Sequence, residues 1–292
     1  MSHVTQQLIF LIVITNAGGQ GKTLLARLCK SLWLMAGRDV QLLCSDPGSA
    51  MARMLDEHAK RVGWGVDNSF APSIVSACEG QHVVLDCGAN LMASHREIVD
   101  FVPELARKFD AAGYRTVTLM PFTPNKPGAV GLLEELAPKL PPMETIVVRN
   151  NMNASGQFEP TNGGLPIIGL GHLMPGMVSY LDETAPASFF DVVQTPAPGH
   201  GLVGRYIGEW MWAFARQASV HGLFGETLSL LDAIPAEPKL WFAVDSIDDC
   251  TDDSLLVNQF KSRILDDIEN DGWTSEGLRR AANQLDQRLA TV

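Results

Sequence analysis

An apolar run, Leu8-Ile9-Phe10-Leu11-Ile12-Val13-Ile14, leads into Asn16-Ala17-Gly18-Gly19-Gln20-Gly21-Lys22-Thr23, and an apolar-periodic stretch, Leu24 to Ala36, follows. Strand, glycine loop and helix in that order leave few folds open. A buried strand delivers the loop to the carboxyl edge of a sheet. The glycines let backbone N–H groups turn inward and approach an anion closely. The helix opening at Lys22 adds the positive end of its dipole. The pattern predicts a phosphate-binding loop, with Gly18, Gly19, Gln20, Gly21, Lys22, Thr23 and Leu24 around the phosphates. In it Lys22 reaches the β- and γ-phosphates and the Thr23 hydroxyl binds Mg²⁺.

The rest of the chain alternates strand and helix signals. Gly37-Arg38 marks a stop, Val40 to Cys44 reads as a strand, and Met51 to Arg61 as a helix. Residues 63–80, punctuated by Gly63, Gly65, Pro72 and Gly80, read as irregular. His82 to Asp86 is a strand. Ser94 to Ala111 is a helix with Ser94 and Glu97 as a capping box. A strand over Tyr114–Met120, a helix over Pro127–Leu136, and strands over Thr145–Arg149 and Pro166–Gly169 follow. Such alternation implies right-handed βαβ units and a mostly parallel sheet. The predicted fold class is α/β, a doubly wound parallel sheet with helices on both faces and its ligand at the strands' carboxyl ends.

The pattern changes near Gly201. Leu202 to Val220 reads as a helix carrying Tyr206, Trp210, Trp212 and Phe214, and Trp210, Trp212 and Phe214 read as core. A break at Pro235-Ala236-Glu237-Pro238 divides a nucleotide-binding domain, 1–235, from a mainly helical appendage, 236–292, which reads as helices packed on the same core or, alternatively, as a partner-binding tail.

Two carboxylates follow strands at the expected edge. Asp46, in Ser45-Asp46-Pro47-Gly48, is placed to orient a water. Asp86 ends Val83-Val84-Leu85-Asp86-Cys87-Gly88, a strand of Walker B type, whose carboxylate accepts hydrogen bonds from Mg²⁺-bound waters. Residues 88–94 then form a loop able to order with the γ-phosphate.

The glycine loop has Asn16 where the ordinary pattern has glycine, which suits a variant reading Lys-Gly-Gly-x-Gly-Lys-Thr. Ala17-Gly18-Gly19-Gln20-Gly21-Lys22-Thr23 resembles the deviant P-loop ATPases of the ParA/MinD family, with Ala17 at the place of the family's extra lysine. In the family that lysine crosses a dimer interface to the partner's nucleotide, so the resemblance implies ATP and Mg²⁺ binding more strongly than dimer-assisted hydrolysis. The family's Asp-x-Asp-Pro-Gln stands here as Cys44-Ser45-Asp46-Pro47-Gly48, making Asp46 the catalytic carboxylate beside Lys22. An Asn at the end of a later strand reads the adenine edge in the family. Asn150 is the better match, with Asn151 as the alternative. Asn125-Lys126 lacks the aspartate of a guanine-reading motif, which favours ATP over GTP.

The resemblance implies an ATP-binding switch protein. Its nucleotide state would control an ATP-dependent homodimer and a protein partner in DNA segregation, plasmid transfer or stability, or positioning of an assembly, with weak partner-stimulated ATPase activity. A small-molecule phosphoryl-transfer enzyme or ligase of the same fold, and a nucleotide-binding scaffold without turnover, stand as alternatives. A net charge of −11 argues against broad non-specific DNA binding. Cys29, Cys44, Cys78, Cys87 and Cys250 form no Cys-x-x-Cys pair and read as reduced thiols of a cytoplasmic protein. No signal peptide and no apolar run long enough to span a membrane is legible.

Overall fold

The structure, a computed structural model, describes residues 7–15, 17–45, 59–62, 70–88, 98–123, 144–151, 164–173, 175–184, 189–194 and 201–225. Strand β1 (Ile9–Val13) is the middle of a sheet whose other strands are β2 (Val40–Cys44), β3 (Lys60–Arg61), β4 (His82–Asp86), β5 (Arg115–Phe122), β6 (Glu144–Asn150) and β7 (Ile167–Leu170). Their order is β3-β2-β4-β1-β5-β6-β7 and every pairing is parallel. Phe10 lies in register between Val83 of β4 and Thr116 of β5.

The helices are α1 (Lys22–Met35), α2 (Phe70–Ala77), α3 (Ile98–Ala111), α4 (Pro175–Thr184), α5 (Phe189–Gln194) and α6 (Gly201–Ser219). Strand alternation sends Ile9, Leu11 and Val13 to one face of the sheet, against Leu25, Leu28 and Leu32 of α1, Phe189 of α5, and Trp210 and Phe214 of α6. Phe10 and Ile12 go to the other face, against Phe101, Leu105 and Phe109 of α3. A strand covered on both faces must be apolar throughout, which is why β1 has no polar position. The expected doubly wound α/β class holds.

The chain fills β2, β3 and β4 on one side of β1, then crosses to β5, β6 and β7 on the other. The carboxyl end of β1 is therefore the point where the winding reverses, the place in such sheets where a crevice opens. Trp210 and Phe214 are core residues, as expected, each 1% exposed, whereas Trp212 is only partly buried against that core. His82 is a satisfied core residue: its Nδ1 accepts from the Ile9 N–H at 3.2 Å, and its ring stacks on Trp33.

Two local readings need correction. Lys60 and Arg61, expected to end a helix, form the short edge strand β3 beside Leu43 and Cys44. Residues 70–77, expected to be irregular, form α2, with Pro72 in its first turn, where a missing N–H is tolerated. Helices α4 and α5 carry no expectation from the sequence. The expected helix at 127–136, the Ser94 cap and the region 236–292 lie outside the described residues, as does Cys250. Among the described residues no helix is long and apolar enough to cross a membrane.

At the amino edge of the sheet, Arg115 donates to the carbonyls of His221 (2.7 Å) and Gly222 (3.4 Å) just beyond α6, and pairs with Glu144. A cation on carbonyls of the turn that follows a helix satisfies those acceptors and lies near the negative end of the helix dipole. Arg115→Ala is expected to lower unfolding free energy by about 1–2 kcal/mol, read from urea titration. Ligand affinity at the opposite edge should not change.

Candidate functional site

The last residues of β1 feed a loop that turns straight into α1. Gly19 and Gly21 have φ of 67° and 84°, left-handed values that cost an L-residue about 1–2 kcal/mol. Gly21 is the residue from which α1 starts, and among the described residues no side chain caps the helix. The Lys22 ammonium folds back into the loop and donates to the Ala17 carbonyl at 2.8 Å. Lys22 is 7% exposed, so its charge is held inside the loop.

Across the mouth, the Thr23 hydroxyl donates to Asp86 Oδ2 at 2.8 Å, joining the first turn of α1 to the end of β4. The link follows from topology. β4 pairs directly with β1 and places Asp86 opposite Val13, the last residue of β1. A hydroxyl and a carboxylate side by side are hard oxygen donors of the kind Mg²⁺ takes, one or two from protein and the rest from water and phosphate. The residues present fit that ion. Among the described residues no cluster of three or more His, Cys, Asp or Glu gathers for a metal.

Asp86 is also tied to the end of β2. The Ser45 hydroxyl donates to the Asp86 carbonyl at 3.3 Å and accepts from the Gly88 N–H at 3.3 Å. Ser45 thus bridges the two strand ends from which the segments carrying Asp46 and residues 88–94 depart. Ser45 carries no sequence signal beyond its position between a strand and Asp46. Burial, and next the Asp86 carboxylate, push the neighbouring Cys87 thiol far above its usual range. That thiol stays neutral beside the site.

The loop is held from below by the next two strands. Thr123, just past β5, donates its N–H to Gln20 Oε1. Asn150, the last residue of β6, donates its amide to the Gln20 carbonyl at 2.9 Å. Gln20 is fully buried and Asn150 is 2% exposed. A Cβ built on Gly21 would lie 2.2 Å from Asn150 Nδ2, so the amide presses directly against the loop. Thr123 had no sequence signal at all. Asn151 is buried and its N–H donates to Leu170 of β7.

The structure thus brings Gly18, Gly19, Gln20, Gly21, Lys22, Thr23, Asp86 and Asn150 to one place at the carboxyl end of β1. Leu24 follows in α1, partly buried against the core. Asp46, Asn125 and Lys126 lie outside the described residues.

No protein-family model matches the chain, and no curated protein does. Among solved structures, it is similar to the MinD cell division protein of Aquifex aeolicus, at 14% identity and a TM-score of 0.40, over 68% of this chain and 96% of that one. It is also similar to the signal recognition particle 54 kDa protein of Aeropyrum pernix in complex with GDP, at 15% identity and a TM-score of 0.39, over 99% of this chain and 79% of that one. The signal recognition particle receptor FtsY of Elizabethkingia anophelis, in complex with GDP, matches at 13% identity and 0.34, over 52% of this chain and 51% of its own. Likeness of this degree carries no argument about ligand or partner. The fold rests on the parallel strand order and on the loop at the carboxyl end of its central strand.

Proposed function

We propose that the chain is a nucleoside-triphosphate switch protein that binds ATP with Mg²⁺ in the loop between β1 and α1. The observation that carries this reading is the convergence of the Lys22 ammonium, the Thr23 hydroxyl and the Asp86 carboxylate on one glycine loop. These are the three groups a polyphosphate and its cation need: a point charge, a hydroxyl ligand and a carboxylate for bound waters. Backbone N–H groups at the uncapped start of α1 add a preformed anion site.

Lys22 leaves the Ala17 carbonyl to bind the β- and γ-phosphates, exchanging a neutral acceptor for an anionic one. The Thr23 hydroxyl, and Asp86 through bound waters, would hold Mg²⁺, which would supply charge neutralisation at the phosphates. Asp46 orients the attacking water. Because Ser45 bonds both to Asp86 and to Gly88, a change at the γ-phosphate reaches both flanking segments through one hydroxyl. Triphosphate binding favours a homodimer and presents a surface to a protein partner, and hydrolysis releases it. Ala17 removes the cation that would act across such a dimer, so unassisted turnover is slow.

The test is size-exclusion chromatography with light scattering, with and without a non-hydrolysable ATP analogue and Mg²⁺, alongside ATP turnover with and without cell extract. A nucleotide-dependent shift to dimer and extract-stimulated turnover that Asp46→Ala removes support the switch. Unchanged mass together with turnover driven by small metabolites would overturn it in favour of a metabolic enzyme. Asp86→Asn is expected to weaken Mg²⁺-dependent nucleotide binding about 10- to 100-fold. It should leave binding in EDTA nearly unchanged, as read by calorimetry under both conditions.

A further inference from the structure

Asn150 stands where a base-reading residue was expected, yet its amide is turned under the loop. It is 2% exposed and donates at 2.9 Å to the Gln20 carbonyl, 130 residues away in sequence. The chain has no cis peptide bonds among its described residues. In a planar trans peptide the C=O and the following N–H point in opposite directions. With the Gln20 carbonyl directed down onto Asn150, the Gly21 N–H points away from Asn150, to the mouth side of the loop. Among the described residues no group accepts from that N–H.

Gly21 also supplies the freedom that makes such a lock necessary. With φ at 84° and no Cβ, the Gln20–Gly21 peptide has two accessible orientations. One presents an N–H to an anion, and the other presents a carbonyl oxygen that repels it. The Gln20 side chain steadies the same residue from the β5 side, because its Oε1 accepts from the Thr123 N–H. Among the described residues its Nε2 has no hydrogen-bond partner, so within them the oxygen anchors it.

We propose that Asn150 is a positioning residue of the anion-binding loop: its amide fixes the Gln20–Gly21 peptide with the N–H toward the phosphate, and it does not read the base. The proposal deepens the nucleotide-binding reading and rests on it. Recognition at this end of β6 is therefore of the polyphosphate, whatever base it carries.

The experiment measures affinity for Mg²⁺–ATP, Mg²⁺–GTP and inorganic tripolyphosphate by calorimetry, in the wild type, Asn150→Ala and Asn150→Asp. Asn150→Ala should weaken all three by a common factor of about tenfold, the loss of one hydrogen bond. Asn150→Asp keeps the size of the side chain but can only accept. It repels the Gln20 carbonyl and draws the Gly21 N–H inward, so it should weaken all three further, by about 100-fold or more. A merely structural role would rank the near-isosteric Asp variant as the milder one. Should Asn150→Ala fold poorly by circular dichroism, the Asp variant carries the test.

Loss of ATP affinity with tripolyphosphate affinity intact would make Asn150 a base reader and overturn the proposal. Unchanged affinity for all three would overturn it too. A wild type that binds none of the three would instead remove the nucleotide-binding reading, and the proposal with it.

Discussion

Gly21→Ala is expected to abolish triphosphate binding and to lower the unfolding free energy at once. Two separate costs meet at this residue. Its φ of 84° is left-handed, which costs an alanine about 1–2 kcal/mol. Its new Cβ would also fall 2.2 Å from Asn150 Nδ2, well inside any real contact. Asn150 cannot retreat without releasing the Gln20 carbonyl and leaving it buried and unpaired, a further cost of about 1–3 kcal/mol. The two together predict a loss of about 2–5 kcal/mol in urea titration. Either route of relief, a moved Asn150 or a turned peptide, spoils the shape that faces the anion. Gly37, Gly80 and Gly113 supply the control, because they share positive φ but have nothing within 4 Å of an added Cβ. Alanine at these three should show the backbone cost alone and leave binding unchanged.

Lys22→Ala is expected to separate binding from stability. Lys22 is 7% exposed, and its ammonium donates to the Ala17 carbonyl at 2.8 Å. A buried cation stabilises a fold little, because its desolvation offsets what its contacts return. Its removal should leave the urea midpoint nearly unchanged or slightly raised. Triphosphate affinity should fall about 100-fold or more, since charge-assisted bonds to an anion are worth about 1.5–3 kcal/mol each. A loss of stability as large as the loss of affinity would mean that Lys22 is part of the scaffold. Calorimetry and urea titration on the same preparation distinguish the two outcomes.

The central strands were legible in the sequence because parallel strands buried on both faces carry unbroken apolar runs. β1, β2, β4, β5 and β6 fall within a residue or two of where those runs lie. The pairing of Thr23 with Asp86 was legible for another reason. Their chemistry requires a hydroxyl at the start of the helix after β1 and a carboxylate at the end of the neighbouring strand, whatever the 62 residues between them do. Lys60 and Arg61 were not legible, because a two-residue edge strand is too short to show any period and takes its form from the neighbouring β2. α2 was hidden by Pro72, which signals a break inside a helix and is accommodated in a first turn.

The struts beneath the loop were beyond reach for a third reason. Gln20 meets Thr123 103 residues away and Asn150 130 residues away. Nothing in either local sequence marks a hydrogen bond made by tertiary juxtaposition. The resemblance places Gln20 and Asn150 at the ligand, and the structure adds that the Gln20 side chain bonds Thr123 and the Asn150 amide bonds the Gln20 carbonyl beneath the loop.

Every proposed role of the site requires that the backbone between Gly18 and Thr23 receive a polyphosphate with its cation. The most direct measurement is calorimetric titration of the purified wild-type protein with ATP, in Mg²⁺ and again in EDTA, repeated on Lys22→Ala. Saturable binding that weakens in EDTA and is lost with the lysine is the predicted result. No heat of binding in Mg²⁺, or a Lys22→Ala isotherm that overlays the wild type, would contradict it.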